Sequence, residues 1–380
     1  METTYLAGSD TPLAQRYDVA MLDLDGVVYV GTAAVPAAPG ALAEARQGGM
    51  RLAFVTNNAA RPAAAVAELL TSLGVPAQPA EVITSAQTAA HYLARRLPAG
   101  AKVLVVGGAG LIEALTERGL TPVSSADDEP AAVVQGFSPD TDWKMLSEGA
   151  IAIRRGVFWL ATNLDSTVPS ARGPLPGNGS LVAAIRHATG AEPVATGKPE
   201  PTMHAETVER TAAQRPLVVG DRLDTDIEGA RRVGCASMLV FSGVATPRQV
   251  LSAAELERPD YLAYDVGGLL EVHPEVRTAG PESRCGRWLA RVDGQRLLLS
   301  RDPEAAPDGG ASAGESGDGG NSRRGSASED GGGRRGADDL DALRALCAQS
   351  WTSGIVATEA VADDGRAALE RLGLSDGSNG

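Results

Sequence analysis

Cysteine and lysine are scarce in this chain of 380 residues, and long apolar runs are absent. The three cysteines (Cys235, Cys285 and Cys347) lie far apart and show no metal-ligand spacing, so we expect buried thiols in a reducing compartment. No apolar run reaches the roughly 20 residues that a membrane helix needs. The first residues show neither a basic start nor a signal-type apolar stretch. We therefore expect a cytoplasmic protein without membrane insertion.

Basic residues are also fewer than acidic residues in this chain. Lysine and arginine together number 34 against 48 aspartates and glutamates, which gives a formal net charge of −14. Such an acidic surface repels nucleic acid and anionic membranes, so neither is an expected partner. An anionic substrate must then be attracted by local positive charge, and a lysine at a strand end is a candidate for supplying it.

Short apolar runs alternate with helical patterns from about residue 17 to about residue 275. Such alternation indicates an α/β protein with mostly parallel sheets. The predicted strands are Val19–Leu24, Arg51–Thr56, Val103–Val106, Ala132–Gln135, Val157–Ala161, Leu217–Val219, Ser237–Phe241 and Tyr261–Tyr264. Helical spacing of apolar residues recurs in Ala63–Leu73, Met145–Arg155 and Leu181–Thr189.

Residues from about 302 to 337 differ in composition, since they consist largely of Gly, Ser, Asp, Glu and Arg. This stretch cannot bury enough apolar surface to offset its ordering entropy, and we predict that it is disordered. Before it, Arg287–Ser300 has the pattern of a hairpin that turns at an Asp-Gly dipeptide. After it, Asp338–Ser350 and Ala357–Leu372 are predicted helices. Residues 281–380 are therefore predicted to form a small extra domain with a disordered insert.

Two aspartates follow the first predicted strand. The segment reads Met-Leu-Asp-Leu-Asp-Gly-Val, with carboxylates at Asp23 and Asp25 and a glycine directly after them. Ligands of parallel α/β sheets bind at the carboxyl ends of the strands, and two carboxylates there would attract a hard cation. An ordinary polar strand end followed by a turn is the alternative interpretation of this segment alone.

Two further segments carry groups suited to phosphate. Thr56, Asn57 and Asn58 follow a predicted strand and offer a hydroxyl and two amides, although asparagine also favours turns. Lys198 stands between a glycine and a Pro-x-Pro segment that fixes the local backbone. A lysine held in this way would neutralise a phosphoryl group. A solvent-exposed loop lysine is the alternative.

A third cluster of acids follows the predicted strand Leu217–Val219. Asp221 falls at the end of this strand, with Asp224 and Asp226 shortly after it. Asp226 is also placed to cap the helix that follows, which is its structural alternative. Each of the four segments is a weak signal alone. Their common position after predicted strands, in this order, favours one shared site.

The constellation resembles the haloacid dehalogenase (HAD) superfamily of phosphotransferases. Long stretches are similar to its class IIA branch, which includes 4-nitrophenylphosphatases and nucleotide-type, phosphoglycolate and glycerol-3-phosphate phosphatases. Besides the four motifs, the similar segments are Ala161–Asp165, Leu175–Gly179 and Gly220–Ile227. The resemblance covers about residues 17–275. It implies an α/β fold with a HAD-like Rossmannoid core, a parallel sheet and an inserted α/β cap domain.

The resemblance also implies roles for the motif residues. Asp23 would be the nucleophile that forms an aspartyl phosphate, and Asp25 would act as general acid and base. Mg²⁺ would be bound by Asp23, the backbone carbonyl of Asp25, and Asp221. The residues expected to bind the phosphate are Thr56, Asn57, Asn58 and Lys198. Asp226 would orient Lys198 or a water on the metal.

Class IIA membership would also set the domain bounds. The catalytic core would comprise about residues 17–80 and 195–275, with the cap at about 81–194. The cap residues expected to contribute to substrate choice are Asn163, Asp165 and Asn178. The glycine-rich run that starts at Val105 lacks the Gly-x-Gly-x-x-Gly spacing, so dinucleotide binding is not expected.

The expected substrate is a small phosphorylated metabolite. Actinobacterial-type class IIA proteins with a C-terminal extension resemble glycerol-3-phosphate phosphatases, and their extension looks like a remnant acetyltransferase-type (GNAT) fold. Residues 281–380 are therefore expected to form a small GNAT-like α+β extension, with glycerol 3-phosphate as the first choice of substrate. The alternatives are 2-phosphoglycolate, a nucleoside monophosphate or, in vitro, 4-nitrophenyl phosphate. A homodimer through the cap is also implied.

Two interpretations from other classes compete with a phosphatase. A phosphoryl-accepting regulatory module would also use an aspartate and Mg²⁺, but it needs no general acid such as Asp25. A non-catalytic binding or scaffold protein would act through its C-terminal extension and would carry a decayed core. The intact set of motif residues disfavours the second interpretation.

Overall fold

The structure, a computed structural model, describes residues 6–170, 172–305 and 330–375, with the side chains of all of these except 330–337. Most of the predicted disordered insert at 302–337 lies outside the described residues. All three cysteines are buried free thiols, as predicted. Among the described helices, none is both long enough and apolar enough to cross a membrane.

The strands are numbered along the chain. They are β1 (Val19–Leu22), β2 (Tyr29–Val30), β3 (Ala33–Ala34), β4 (Arg51–Thr56), β5 (Val82–Thr84), β6 (Lys102–Val106), β7 (Thr121–Val123), β8 (Ala132–Gln135), β9 (Phe158–Ala161), β10 (Thr167–Val168), β11 (Leu175–Pro176), β12 (Val194–Ala195), β13 (Pro216–Gly220), β14 (Ala236–Val240), β15 (Tyr261–Ala263), β16 (Arg277–Ala279), β17 (Glu282–Cys285), β18 (Trp288–Asp293), β19 (Arg296–Arg301) and β20 (Thr358–Ala360).

The α-helices are numbered in the same way. They are α1 (Leu13–Arg16), α2 (Ala38–Gln47), α3 (Ala63–Ser72), α4 (Ser85–Ala94), α5 (Ala109–Glu117), α6 (Trp143–Arg154), α7 (Asn178–Thr189), α8 (Pro201–Thr211), α9 (Glu228–Arg232), α10 (Pro247–Leu251), α11 (Asp330–Ser353) and α12 (Asp363–Arg371). A π-helical turn over Leu223–Ile227 precedes α9.

Six parallel strands form the first sheet, in the order β15-β14-β13-β1-β4-β5. The four residues of β1 are apolar and fully buried, as is typical of a parallel strand covered on both faces. Separate apolar clusters lie on the two faces of this sheet. β5, which the domain prediction placed at the start of the cap (81–194), pairs with β4 in this sheet.

Five parallel strands form a second sheet, in the order β12-β9-β8-β6-β7. Four of its strands come from the segment between β5 and β12, so this unit is inserted between two parts of the first sheet. Apolar clusters cover both of its faces. Asn163, just beyond β9, donates a hydrogen bond to the carbonyl of Asn57, just beyond β4. The carboxyl edges of the two sheets therefore face each other.

A third, mixed sheet has the order β16-β17-β18-β19-β20. The hairpin between β18 and β19 is confirmed: Asp293 pairs with Arg296, and Gly294 adopts a φ of +58° that favours glycine. The helix α11 begins at Asp330, within the stretch predicted to be disordered.

An apolar cluster joins the third sheet to the first. Its members from α11 include Leu340, Leu343 and Leu346, and its members from the first unit include Leu239, Leu251 and Leu262. Polar contacts also cross this boundary, since the indole N–H of Trp351 donates to the carbonyl of Val250 at 3.0 Å. The C-terminal unit therefore covers apolar surface of the first unit.

Candidate active site

The predicted site residues from separate strands meet between the two sheets. Asp23 follows β1, Thr56 ends β4 and Asp221 follows β13, and these three strands are adjacent in the first sheet. Lys198 follows β12 of the second sheet. Parallel strands present their carboxyl ends at one edge, so residues far apart in sequence come together there.

A buried ionic cluster forms around Lys198. Its Nζ lies 2.5 Å from Asp23 Oδ1 and 2.7 Å from Asp226 Oδ1, and it also donates to the Val55 carbonyl at 3.3 Å. These contacts use all three ammonium hydrogens. Lys198 is 4% exposed, so it is not the solvent-exposed loop lysine of the alternative interpretation.

The electrostatics of this cluster follow from burial and mutual contact. Burial opposes the charged form of Lys198, but Asp226 and Asp23 outweigh it and hold the lysine pKa above its ordinary range. Burial also raises the pKa of Asp23 well above the usual value; Lys198 opposes this rise, while Asp226 and Asp221 add to it. The cluster therefore places three carboxyl groups around one ammonium, and an additional cation would favour their ionised forms.

The same cluster offers a site for a cation. One carboxylate oxygen from each of Asp23, Asp221 and Asp226 lies within 4.8 Å of the others. When all three carboxyl groups are ionised, the one ammonium leaves two negative charges uncompensated, which matches a divalent ion. Oxygen donors are the ligands that Mg²⁺ prefers.

Asp221 is the carboxylate with a spare ligand atom. Its Oδ2 accepts the backbone N–H of Val244 at 2.7 Å, while its Oδ1 is buried and has no hydrogen-bond partner among the residues that the structure describes. Burial, reinforced by Asp226, raises the pKa of Asp221 to about 7. A side chain at Gly26 or Gly243 would collide with this carboxylate, so glycine at both positions leaves it room. An unpartnered buried oxygen of this kind fits a metal ligand.

Asp226 has a different environment. Its Oδ1 accepts from Lys198, and its Oδ2 accepts the backbone N–H of Arg222 at 3.2 Å. The residue lies inside the π-helical turn and is 1% exposed, so it does not act as the helix cap of the alternative interpretation. Both carboxylate oxygens accept hydrogen bonds from protein groups, which favours a role in holding Lys198 over direct metal binding. The neighbouring Asp224 is exposed and pairs with Arg222, outside the cluster.

Asp25 lies on the turn after β1 and is exposed. Partial desolvation raises the pKa of its carboxyl, and Lys198 and the Tyr29 hydroxyl oppose this rise. A carboxyl with a raised pKa is suited to donating a proton near neutral pH. Tyr29 and Arg61, whose charge also acts on Asp25, were not predicted from the sequence. Neither carries a motif signal, because the fold alone brings them to Asp25.

The three residues at and after the end of β4 that were predicted to bind phosphate (Thr56, Asn57 and Asn58) have different surroundings. Thr56 is buried, and its Oγ1 accepts the backbone N–H of Asn58 at 3.1 Å. Asn58 Oδ1 accepts the N–H of Ala60 at 2.8 Å, a local turn contact. Asn57 turns its amide toward the Lys198 backbone and toward Asp165. Of the three, Thr56 is the one whose side chain the structure leaves best placed for a phosphoryl oxygen.

The three predicted residues of the inserted unit lie in one hydrogen-bonded group. Asn178 Nδ2 donates to the Asn163 carbonyl at 2.7 Å, and Asn163 Nδ2 donates to the Asn57 carbonyl at 2.7 Å. Asp165 contacts Asn57 through both of its carboxylate oxygens. Two of the three therefore contact the first unit directly, and Asn178 supports Asn163.

Two family models match the chain. A model described as haloacid dehalogenase-like hydrolase matches residues 20–121, and one described as HAD-hydrolase-like matches residues 195–269.

Individual proteins are also similar. The D-glycerol 3-phosphate phosphatase of Mycobacterium tuberculosis is 47% identical over 257 residues, which are 68% of this chain and 72% of the relative. The acid sugar phosphatase of Staphylococcus aureus is 35% identical over 238 residues, 62% of this chain and 91% of the relative. A crystal structure of a glycerol phosphate phosphatase from M. tuberculosis in complex with magnesium covers 96% of this chain and 99% of its own. It is 37% identical, with a TM-score of 0.82.

Proposed function

The chain belongs to the haloacid dehalogenase superfamily of hydrolases and is a phosphomonoester hydrolase, and on this premise we propose that it dephosphorylates glycerol 3-phosphate through an aspartyl phosphate on Asp23. The observation that carries the proposal is the position of Asp23. Its carboxylate lies at the carboxyl edge of the first sheet, 2.5 Å from the Lys198 ammonium and within 4.8 Å of a carboxylate oxygen of Asp221.

In the first step, a carboxylate oxygen of Asp23 attacks phosphorus and forms an O–P bond. The bond from phosphorus to the leaving oxygen breaks, and Asp25 gives its proton to that oxygen. In the second step, water attacks the same phosphorus while Asp25 accepts a water proton. The Asp23–phosphorus bond then breaks, and inorganic phosphate leaves.

An anionic nucleophile and an anionic phosphate repel each other, so fixed positive charge must offset the repulsion. Lys198 supplies one charge and is held in place by Asp226. Mg²⁺, bound by Asp23, Asp221 and the Asp25 carbonyl, would supply electrostatic stabilisation of the phosphoryl group. The relative's crystal structure in complex with magnesium supports this choice of ion. Thr56 would donate a hydrogen bond to a phosphoryl oxygen.

The choice of glycerol 3-phosphate is supported by the mycobacterial phosphatase and by the structural match across 96% of this chain. Since residues 281–380 are about a quarter of the sequence, that match includes most of the C-terminal unit. The GNAT-like character of this unit remains a prediction.

The test is phosphate release by the purified chain with Mg²⁺ and with EDTA. The panel holds glycerol 3-phosphate, 2-phosphoglycolate, a nucleoside monophosphate, a sugar phosphate and 4-nitrophenyl phosphate. The expected result is metal-dependent release that is fastest, by kcat/KM, with glycerol 3-phosphate. Preference for another compound would overturn the substrate assignment. Absence of release from all five would favour the scaffold interpretation.

The location and assembly of the protein belong to the same proposal. We propose a cytoplasmic enzyme, because its three cysteines are buried free thiols. We also propose a homodimer formed through the inserted unit. Light scattering on the purified chain tests the dimer, and a monomer at micromolar concentration would contradict it.

A further inference from the structure

The amide of Asn57 is fully engaged by protein groups. Its Oδ1 accepts the backbone N–H of Lys198 at 2.9 Å, and its Nδ2 donates to the Lys198 carbonyl at 3.1 Å. The same Nδ2 also donates to the carboxylate of Asp165, at 3.1 and 3.3 Å. A side-chain amide has two N–H hydrogens. One faces Lys198 and the other faces Asp165, so no donor is left for a phosphoryl oxygen.

The inserted unit holds Asn57 from two directions. Asp165 contacts its side chain, and Asn163 Nδ2 donates to its backbone carbonyl at 2.7 Å. Asp165 and Asn163 are also joined to each other, because the N–H of Asp165 donates to Asn163 Oδ1 at 3.1 Å. The two residues therefore act on Asn57 as one hydrogen-bonded group.

The residue before Lys198 is Gly197, and its lack of a side chain leaves room for Asn57 to contact the Lys198 backbone. A side-chain carbon at Gly197 would lie 2.7 Å from Asn57 Oδ1 and 3.0 Å from the Cβ of Asn163. Glycine at this position therefore lets the two units approach. The ammonium end of Lys198 lies between Asp23 and Asp226 at 2.5 and 2.7 Å, so the position of the Lys198 backbone bears on both contacts.

We propose that Asn57 is a positioning residue through which Asp165 of the inserted unit fixes Lys198 against Asp23. The inference rests on the proposed phosphatase activity. It assigns Asn57 to the Lys198 backbone instead of the phosphate, and Asp165 to Asn57 instead of the leaving group. Charge stabilisation in a transition state requires the cation to be held within about 0.5 Å of its productive position. The contacts of Asn57 supply that constraint.

The experiment measures kcat and KM of Asn57→Ala, Asp165→Ala and the double variant, with glycerol 3-phosphate and 4-nitrophenyl phosphate as substrates. Each single change is expected to lower kcat at least about tenfold, while KM changes less than about threefold. The double variant is expected to be no slower than Asn57→Ala, since both changes remove one linkage. Asp165→Asn keeps an acceptor for Asn57 Nδ2 and is expected to retain kcat within about threefold.

A matched control is Asp142→Ala, which removes a carboxylate from the same inserted unit. Asp142 caps α6 by accepting the N–H of Met145 at 2.8 Å, so this change lowers Tm and leaves kcat unchanged. Losses of kcat that multiply in the double variant would overturn the inference. Losses confined to KM, or to one of the two substrates, would also overturn it.

The outcome separates this inference from the proposed function. Wild-type turnover together with independent effects of the two residues contradicts the inference alone. Absence of wild-type turnover contradicts the proposed function and the inference with it. Should Asn57→Ala fail to fold, the comparison of Asp165→Ala with Asp165→Asn carries the test: equal kcat values in the two variants overturn the inference.

Discussion

Replacing Lys198 by methionine removes the ammonium that lies between Asp23 and Asp226 while keeping an unbranched side chain of similar length. Asp226 is 1% exposed, so its carboxylate would remain buried beside Asp23 without a cation. Removing one partner of a buried ion pair costs about 3–5 kcal/mol, because the remaining charge is left unpaired. We therefore expect the free energy of unfolding of metal-free Lys198→Met to fall by about 3–5 kcal/mol. This is a large loss, because the total free energy of unfolding of a natural domain is typically only about 5–15 kcal/mol.

An exposed ion pair of similar length provides the control. Arg186 Nη2 lies 2.6 Å from Glu192 Oε1, but the two side chains are 48% and 68% exposed. Arg186→Ala should lower the free energy of unfolding by less than about 1 kcal/mol, since water screens the pair. The contrast isolates burial as the cause, because the two distances are nearly equal.

The assay is urea-induced unfolding in EDTA at pH 7, followed by circular dichroism. The double variant Lys198→Met/Asp226→Asn should recover much of the loss, since it removes the unpaired buried charge. A Lys198→Met protein within about 1 kcal/mol of the wild type would refute this reasoning, as would a double variant less stable than the single one.

Three further predictions concern the metal site, a buried histidine and the C-terminal unit. Mg²⁺ at about 100 times its Kd should raise the free energy of unfolding by about 2.7 kcal/mol, and Asp221→Asn should lose most of this gain; equal thermal shifts in the two proteins would contradict the assigned ligand. Burial lowers the pKa of His273 to about 4 from 6.5, so its neutral form stabilises the fold above pH 6.5. That contribution, on the order of 3 kcal/mol, is lost as the pH falls toward 4. The free energy of unfolding of His273→Gln should therefore change less between pH 6.5 and pH 4 than that of the wild type. Leu343 of α11 is fully buried in the apolar cluster that joins the C-terminal unit to the first unit, so Leu343→Ala should lower the free energy of unfolding by about 2–5 kcal/mol, and an unchanged Tm would contradict that packing.

The sequence identifies those parts of the site that directly follow apolar strands. Asp23, Thr56 and Asp221 each come after a run of buried residues, so strand periodicity and the carboxyl-edge rule together indicate one shared site. The prediction of an α/β fold with parallel sheets is confirmed for the same reason, since near-continuous apolar runs mark strands covered on both faces. The C-terminal hairpin is confirmed because an Asp-Gly turn has few alternatives.

Other parts depend on contacts that no local pattern encodes. The amide of Asn57 is equally suited to a phosphate oxygen and to a peptide group, and only the fold brings Lys198 within reach. Tyr29 reaches Asp25 because the chain reverses after β1. The start of α11 at Asp330 was missed because glycine-rich sequence disfavours helix in isolation.

The central claim is that the reaction passes through a phosphoryl group on Asp23. Its most direct test is acid quenching of the enzyme during turnover of glycerol 3-phosphate, followed by hydroxylamine trapping and mass spectrometry of the peptide that contains Asp23. The account predicts a trapped adduct at Asp23 that requires Mg²⁺ and is absent from Asp23→Asn, which should also have lost turnover by about 10³-fold or more. Phosphate release at the wild-type rate by Asp23→Asn, or an adduct on a different residue, would contradict it.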